Sequence, residues 1–224
     1  MKNNWLSDYK KNYTSQRGED GILEKIFEIL GINQGWYVDI GAQGSVNSNT
    51  YTLFKKGWSG ILIEADAVNI EGLLKTFGGN RAHVIHGRVE PEGEKSLNNL
   101  LGKTPLPNEF DLINIDIDGN DYYVWESLTK YAPTVVLIEF NPVIKLDDYL
   151  QPVNGRGGSS LSALARLGKA KGYELIATTA LNAFFVKKNL YDKFAIIDNS
   201  ASELFTDSND SYGRDSTKYA NARD

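Results

Sequence analysis

The stretch WYVDIGAQGSVNSNT, residues 36–50, contains the most informative pattern in this chain. An apolar run from Trp36 to Val38 leads into Asp39, and Gly41 and Gly44 then occupy a short polar turn. The residues after the turn can begin a helix, so the pattern predicts a strand, a glycine-rich turn and a helix N-terminus. Because glycine has no side chain, such a turn lets a ligand approach the backbone closely.

The chemistry of the predicted ligand is indicated by Asp39. A dinucleotide pyrophosphate is an anion, and a carboxylate directly before the glycines would repel it. S-adenosylmethionine carries an ammonium group and a sulfonium group and has no phosphate. The position of Asp39 therefore favours a methyl-donor site over a dinucleotide site.

Short apolar strands alternate with helical segments on both sides of this stretch. The predicted strands before the last helix are residues 36–40, 60–64, 82–86, 110–117 and 134–140. The predicted helices are residues 15–30, 48–56, 68–77, 94–101, 121–131 and 160–172. Two final strands, 173–179 and 183–187, are joined by a tight turn at Leu181-Asn182 and form an antiparallel hairpin. This order predicts an α/β fold: a Rossmann-like, doubly wound, mostly parallel seven-stranded sheet with a C-terminal antiparallel hairpin and helices on both faces.

The length of 224 residues suits one domain with a full core. We predict a single domain over residues 1–197, with residues 1–14 as an N-terminal arm. Residues 198–224 are rich in Ser, Asp and Asn, and we expect them to form a polar tail that is either a lid or disordered.

Composition limits the partners and the chemistry. The formal net charge of −5 argues against a large nucleic-acid footprint, which needs clustered Lys and Arg. The chain has no cysteine, which excludes a thiolate nucleophile and thiolate metal ligands. Residues 1–20 contain no apolar signal segment, and no run of eighteen apolar residues is present, so neither a signal peptide nor a membrane contact is expected. We expect a cytoplasmic protein with a small-molecule or glycan substrate, and the sequence leaves open whether it forms a homodimer.

Most of the predicted parallel strands end in an acidic residue. In an open parallel sheet the ligand binds outside the carboxyl ends of the strands, at the point where the strand order reverses. The polar residues at those ends are Asp39, Glu64, Asp116, Asp118, Glu139 and Asn141. Glu64 follows the glycine turn by a spacing at which an acid accepts hydrogen bonds from the ribose hydroxyls of an adenosine ligand. That spacing occurs in NAD sites and in methyl-donor sites, so it does not separate the two.

The chain resembles class I S-adenosylmethionine-dependent methyltransferases, and more narrowly the FkbM-type group. The resemblance is carried by SQRGEDGIL (15–23), VDIGAQGSVNSNT (38–50), GILIEAD (60–66), DLINIDIDGND (111–121), VVLIEFNP (135–142) and GYELIATTALNAFFV (172–186). It implies a cofactor pocket formed by Asp39, Gly41, Ala42, Gly44, Asn49, Glu64, Ala65, Arg88, Val89 and Asp116. The FkbM-type group is associated with O-methylation of sugars and of natural-product hydroxyls, which is the activity that the resemblance implies here.

Methyl transfer to a hydroxyl group also requires that the acceptor lose a proton, so a nearby base or metal helps. The catalytic candidates are Asp116, Asp118, His86 and Glu139. Of the two histidines, His83 and His86, the second lies nearer the strand end, and their spacing places them on opposite faces of the strand.

The strand-end acids also suit a hard metal ion. The oxygen atoms of Asp116, Glu139 and Asn141 are of the type that binds Mg²⁺, so a magnesium site is one interpretation of these residues. The alternative is that they cap helices and bind the amino group of the donor.

Two other functions remain open at this level. One is an NAD-dependent sugar-nucleotide dehydrogenase or epimerase, although the glycine turn lacks a clean G-x-G-x-x-G pattern. The other is a non-catalytic module that binds S-adenosylmethionine. Residues 155–158, Gly-Arg-Gly-Gly, resemble a phosphate-binding turn, but we favour their interpretation as a mobile surface loop that covers the acceptor.

Overall fold

A computed structural model describes residues 2–144 and 147–206 of the chain. Its strands are β1 (Trp36–Ile40), β2 (Ser59–Glu64), β3 (Ala82–His86), β4 (Glu109–Ile115), β5 (Ala132–Glu139), β6 (Tyr173–Thr178) and β7 (Asn182–Lys187). Its α-helices are α1 (Glu19–Leu30), α2 (Tyr51–Lys55), α3 (Ala67–Thr76), α4 (Leu97–Leu101), α5 (Asp121–Ser127), α6 (Leu161–Ala170) and α7 (Ala201–Leu204). Two 3₁₀ helices span Trp5–Tyr9 and Lys188–Phe194.

The strands form one seven-stranded sheet in the order β3-β2-β1-β4-β5-β7-β6. The pairs from β3 to β5 are parallel, and β7 runs antiparallel to both β5 and β6. The chain moves outward from β1 to β3 and then returns to place β4 on the other side of β1. The predicted Rossmann-like fold with its final hairpin is confirmed, and the switch point lies between β1 and β4.

Two apolar cores cover the two faces of the sheet, as expected for strands buried on both sides. On one face, α4, α5 and α6 pack over the sheet, and Trp125 contacts Phe185 with ring centroids 4.9 Å apart. On the other face, α1, α2, α3 and the two 3₁₀ helices contribute to the second core, which includes Leu6 and Phe194. The sheet is therefore fixed from both sides, and its strand ends form a stable base for a site.

Helix α1 begins four residues later than the sequence pattern predicts, at Glu19 rather than Ser15. The backbone N–H groups of Tyr13, Thr14 and Ser15 all donate to Oδ2 of Asp20, at 2.9, 2.7 and 2.7 Å. A buried carboxylate that satisfies three N–H groups holds this segment as a loop rather than as a turn of helix.

Helix α5 ends at Ser127, before the predicted limit of residue 131. Leu128 is extended, and Asn98 Oδ1 accepts from the backbone N–H groups of Thr129 and Lys130. Strand β5 begins at Ala132, directly before Pro133, a position that disfavours the helical conformation.

The N-terminal segment packs against residues near the end of the described chain. The indole N–H of Trp5 donates to the carbonyl oxygen of Phe194 at 3.0 Å, and Asn3 Oδ1 accepts from the N–H groups of Ile197 and Asp198. Of the predicted tail 198–224, residues up to 206 are described and include α7, which packs beside β6; residues 207–224 lie outside the described residues. None of the helices within residues 2–144 and 147–206 has the length and apolar character needed to cross a membrane.

Candidate functional site

Two adjoining cavities open at the carboxyl ends of the strands, around the β1–β4 switch point. The smaller has a volume of about 50 Å³ and the larger of about 800 Å³. Gly41, Gln43 and Asp116 line both, so the cavities meet at the glycine turn. This is the place where the topology of an open parallel sheet predicts a ligand.

The smaller cavity contains the predicted acid of β1. Asp39 is 3% exposed, and its Oδ2 accepts from Thr50 Oγ1 at 2.6 Å while its Oδ1 accepts from Asn114 Nδ2 at 2.7 Å. Asn49 in turn donates to Asn114 Oδ1 at 3.1 Å. Burial raises the pKa of the Asp39 carboxyl, and these hydrogen bonds oppose the rise. None of the described residues that line this cavity is a lysine or arginine.

The loop before α1 forms one wall of the same cavity. Thr14 and Ser48 exchange two hydrogen bonds: Ser48 N–H donates to the Thr14 carbonyl at 3.0 Å, and Thr14 Oγ1 donates to the Ser48 carbonyl at 2.9 Å. These bonds attach the loop to the glycine turn and place Gln16 at the cavity. The sequence pattern did not predict Gln16 as a site residue, because it assigned residues 15–30 to a helix.

Glu64 and the residues after β3 line one end of the larger cleft, together with Ile40, Ile63, Ala65, Gly87, Arg88 and Val89. Glu64 is 7% exposed, and its Oε1 accepts from the backbone N–H of Asp66 at 2.5 Å. Most of the apolar lining residues of the cleft lie at this end, where they suit a flat apolar ring beside the carboxyl group of Glu64.

The opposite end of the larger cleft is polar and is formed by two turns. They contribute Asp118, Gly119, Asn120, Asn154, Gly155, Arg156 and Gly157. The Asn120 side chain donates to Asn154 Oδ1 at 3.0 Å and accepts from the Asn154 N–H at 2.7 Å. Gln151 Nε2 donates to the Gly119 carbonyl at 2.8 Å. Asp118 and Asn154 both have positive φ angles, 56° and 61°, a conformation that is sparsely populated for residues other than glycine and that concentrates at functional sites.

A cluster of carboxyl groups lies beside the cleft at the ends of β4 and β5. Burial and the charges of neighbouring acids raise the pKa of Asp116 and of Glu139 well above their ordinary range. Burial raises the pKa of Asp121 to about 6, although its two oxygens accept from the N–H groups of Ile117 and Gly119. Within the described residues, no salt bridge neutralises these acids, so protonation rather than ion pairing limits the negative charge of the cluster.

The stability of the ligand-free protein should fall as the pH rises from about 5 to 9. Carboxyls with a raised folded pKa contribute stability that is fully present below about pH 4 and is lost as the pH rises through the folded pKa, about 6 for Asp121 and higher than usual for Glu139. Thermal melts across this pH range measure how the midpoint changes with pH, and Glu139→Gln should reduce that change. Glu71→Gln, which removes an exposed acid on α3, is the control. A midpoint that rises across this range would contradict the raised pKa values.

The structure brings most of the predicted cofactor residues to the cavities. Asp39, Ala42 and Asn49 line the smaller one, Glu64, Ala65, Arg88 and Val89 line the larger one, and Gly41 and Asp116 line both. Gly44 lies in the turn and lines neither cavity.

The catalytic and metal candidates are more scattered. Asp118 lines the cleft, whereas His86 is exposed, lines neither cavity and has Nε2 3.3 Å from the Ala65 carbonyl oxygen. Glu139 and Asn141 also line neither cavity, and Asn141 Oδ1 accepts from the Val143 N–H. No three His, Cys, Asp or Glu side chains within residues 2–144 and 147–206 are arranged to hold a metal ion. The predicted magnesium site is therefore not supported.

No known protein family matches the sequence, and no curated protein matches it. Solved structures with a similar fold include methyltransferases. One is S-adenosylmethionine-bound CalS10, an amino pentose methyltransferase from Micromonospora echinaspora, with 10% identity, a TM-score of 0.50 and coverage of 79% of this chain and 93% of that one. A second is an S-adenosylmethionine-dependent methyltransferase from Clostridium acetobutylicum, with 9% identity, a TM-score of 0.48 and coverage of 75% of this chain and 90% of that one. A third is the N-terminal domain of EvdMO1 in the presence of SAH and D-fucose, with 12% identity, a TM-score of 0.49 and coverage of 75% of this chain and 82% of that one. At these identities the similarity shows the fold alone.

Proposed function

We propose that this chain is an S-adenosylmethionine-dependent O-methyltransferase that acts on a hydroxyl group of a sugar, a glycan or a small natural product. The observation that carries the proposal is Asp39, buried at the switch point beside a glycine turn, in a cavity without a basic lining residue. A pyrophosphate placed there would face an uncompensated carboxylate. A donor with ammonium and sulfonium groups would instead be attracted.

We place the donor across the two cavities in one direction. Its methionine portion would occupy the smaller cavity near Asp39 and Gln16, and its ribose hydroxyls would donate to Glu64. Its adenine would lie between Ala65 and Val89, at the apolar end of the cleft. The sulfonium would then lie near Asp116, the acid that lines both cavities.

The acceptor would occupy the polar end of the larger cleft. None of the described residues that line this end is aromatic, so it is better suited to a hydroxyl-rich ligand such as a sugar than to a flat polyketide ring. A hydroxyl-rich acceptor agrees with the resemblance of residues 38–50 and 111–121 to the FkbM-type group, because that group is associated with O-methylation of sugars. Membership of that group is part of the proposal, as is a single catalytic domain over residues 1–197.

Methyl transfer is an in-line displacement. A bond forms between the acceptor oxygen and the methyl carbon, the carbon–sulfur bond breaks, and its electron pair remains on sulfur. The hydroxyl proton passes to a base, and we assign Asp116 to this role because it alone among the predicted catalytic acids borders both cavities. Its raised pKa suits a base that must accept a proton near neutral pH. Alignment of donor and acceptor in one cleft supplies the rest of the rate increase.

Thermal melts with S-adenosylmethionine, S-adenosylhomocysteine, NAD or no ligand test the donor assignment. At a hundredfold excess over Kd, a bound ligand adds about 2.7 kcal/mol, which should raise the midpoint by roughly 5–10 °C for a domain of this size. We expect a shift with both sulfur compounds and none with NAD. A shift with NAD alone would contradict the proposal and indicate a dehydrogenase or an epimerase.

A further inference from the structure

One arginine, Arg156, lies at the acceptor end of the cleft. The loop that carries it follows β5 and lies over the turn after β4, on the opposite side of the switch point from Arg88. Arg156 is exposed and lines the cleft. The proposed donor does not occupy the end of the cleft that Arg156 lines, so that end is available to the acceptor.

The loop that bears Arg156 makes several hydrogen bonds to the rest of the protein. Gln151 donates to the Gly119 carbonyl and accepts from the Gly158 N–H at 2.5 Å, while Tyr123 Oη donates to the Gln151 carbonyl at 2.6 Å. Gln151 itself is 1% exposed. Two of these hydrogen bonds attach the base of the loop to the turn after β4 and to α5, and the third lies within the loop, so Arg156 is carried on a supported segment.

The conformation of the loop depends on the glycines that follow Arg156. Gly157 and Gly158 have φ angles of 92° and 78°, and a Cβ atom on Gly157 would lie 3.3 Å from Asn141 Nδ2. Two successive left-handed residues turn the chain sharply against the end of β5.

The guanidinium group of Arg156 makes no hydrogen bond or ion pair with any other described residue. This lack of a partner contrasts with Arg166, which binds Asp148 through two nitrogen atoms at 3.0 and 3.2 Å. Asp116 and Asp118 line the same cleft, yet neither forms a salt bridge with Arg156. An arginine fork with no partner among the described residues, on a loop that lines a polar cleft, suits a planar or tetrahedral anion.

We propose that Arg156 binds an anionic group, a carboxylate or a phosphate, on the acceptor sugar. The proposal rests on the proposed function, because it assumes that the donor occupies the other end of the cleft. It narrows the proposed acceptors from sugars and glycans in general to uronic acids, sugar phosphates and glycans that carry them.

Calorimetric titrations of the full chain saturated with S-adenosylhomocysteine test this assignment without turnover. The probes are D-glucuronate, D-glucose 1-phosphate and neutral methyl D-glucoside, so that the two charged probes distinguish a carboxylate from a phosphate. We expect at least one charged probe to bind about tenfold or more tightly than the neutral one. Arg156→Ala should abolish that preference, and Arg156→Lys should retain more of it for phosphate than for carboxylate, because lysine offers a point charge and no fork.

The matched control is Lys103→Ala, which removes an exposed positive charge outside the cleft and should leave the preference unchanged. Equal binding of charged and neutral probes, failure of both charged probes to bind, or a preference that survives Arg156→Ala would each overturn the proposal. Failure of S-adenosylhomocysteine itself to bind would instead contradict the proposed function, so the two failures are distinguishable.

Discussion

Replacement of Glu64 by alanine should weaken binding of S-adenosylhomocysteine by about 100-fold or more and leave the protein folded. Glu64 ends β2, lines the larger cleft and is 7% exposed. Only its Oε1 has a protein donor, the Asp66 N–H, so the carboxylate retains the capacity to accept from both ribose hydroxyls. Hydrogen bonds to a charged group contribute about 1.5–3 kcal/mol each, and the loss of two corresponds to at least about two orders of magnitude in Kd.

Isothermal titration calorimetry of three variants separates the role of the carboxylate from a general effect of charge. Glu64→Gln keeps one acceptor oxygen and should lose only about tenfold in affinity. Glu71→Ala removes an exposed acid on the neighbouring helix and should bind like the unmodified protein. Wild-type affinity in folded Glu64→Ala would mean that the ribose lies elsewhere.

Replacement of Gly41 by alanine should lower the free energy of unfolding by about 2–5 kcal/mol and abolish donor binding. The φ angle of Gly41 is 86°, which costs other residues about 1–2 kcal/mol. A Cβ atom there would lie 1.8 Å from the carbonyl oxygen of Asp116, so the ends of β1 and β4 would have to separate. Such overpacking adds about 1–3 kcal/mol, and it displaces the turn that both cavities share.

Urea unfolding with and without S-adenosylhomocysteine measures both effects. Gly72→Ala is the informative control, since Gly72 lies inside α3 with an open space around its Cβ position. Alanine is preferred in a helix, so that variant should gain about 0.5–1 kcal/mol of stability. A Gly41→Ala protein as stable as the unmodified one would show that the turn can relax, and would remove the steric argument for a close backbone approach.

The strands could be predicted closely from sequence because each is a short apolar run bounded by glycine or polar residues. β1 and β3 agree with the prediction residue for residue, and the limits of the other strands differ from it by at most two positions. The helix limits were less predictable where a side chain accepts the backbone hydrogen bonds. Asp20 lies only five to seven positions after the N–H groups that it accepts from, and an acid at that position also suits the first turn of a longer helix. Asn98, which holds the residues after α5, is more than thirty positions away from them and leaves no local signature in the sequence.

The acidic residues of the site could be predicted from the sequence, whereas most of its asparagine and glutamine residues could not. The position of Asp39, Glu64 and Asp116 at the ends of strands predicted them as site residues. It did not predict the side chains that hydrogen-bond to them. Asn114 is the clearest residue that the prediction missed, and a signal was present, because it is a polar residue inside the apolar strand β4. Gln16 and Gln151 left no such signal, since each acts through a contact between segments that are distant in the chain.

The hydrogen bonds between the turn after β4 and the loop after β5 have a consequence for protein engineering. Asn120 and Asn154 form two hydrogen bonds with each other, and the Gln151 side chain donates to the Gly119 carbonyl. More than thirty positions in the chain separate the two segments. A chimera that imports a foreign loop over residues 151–158 would leave Asn120 and the Gly119 carbonyl without partners. We expect acceptor range to be transferable between homologues only when both segments are exchanged together, so a recombination library should treat them as one block.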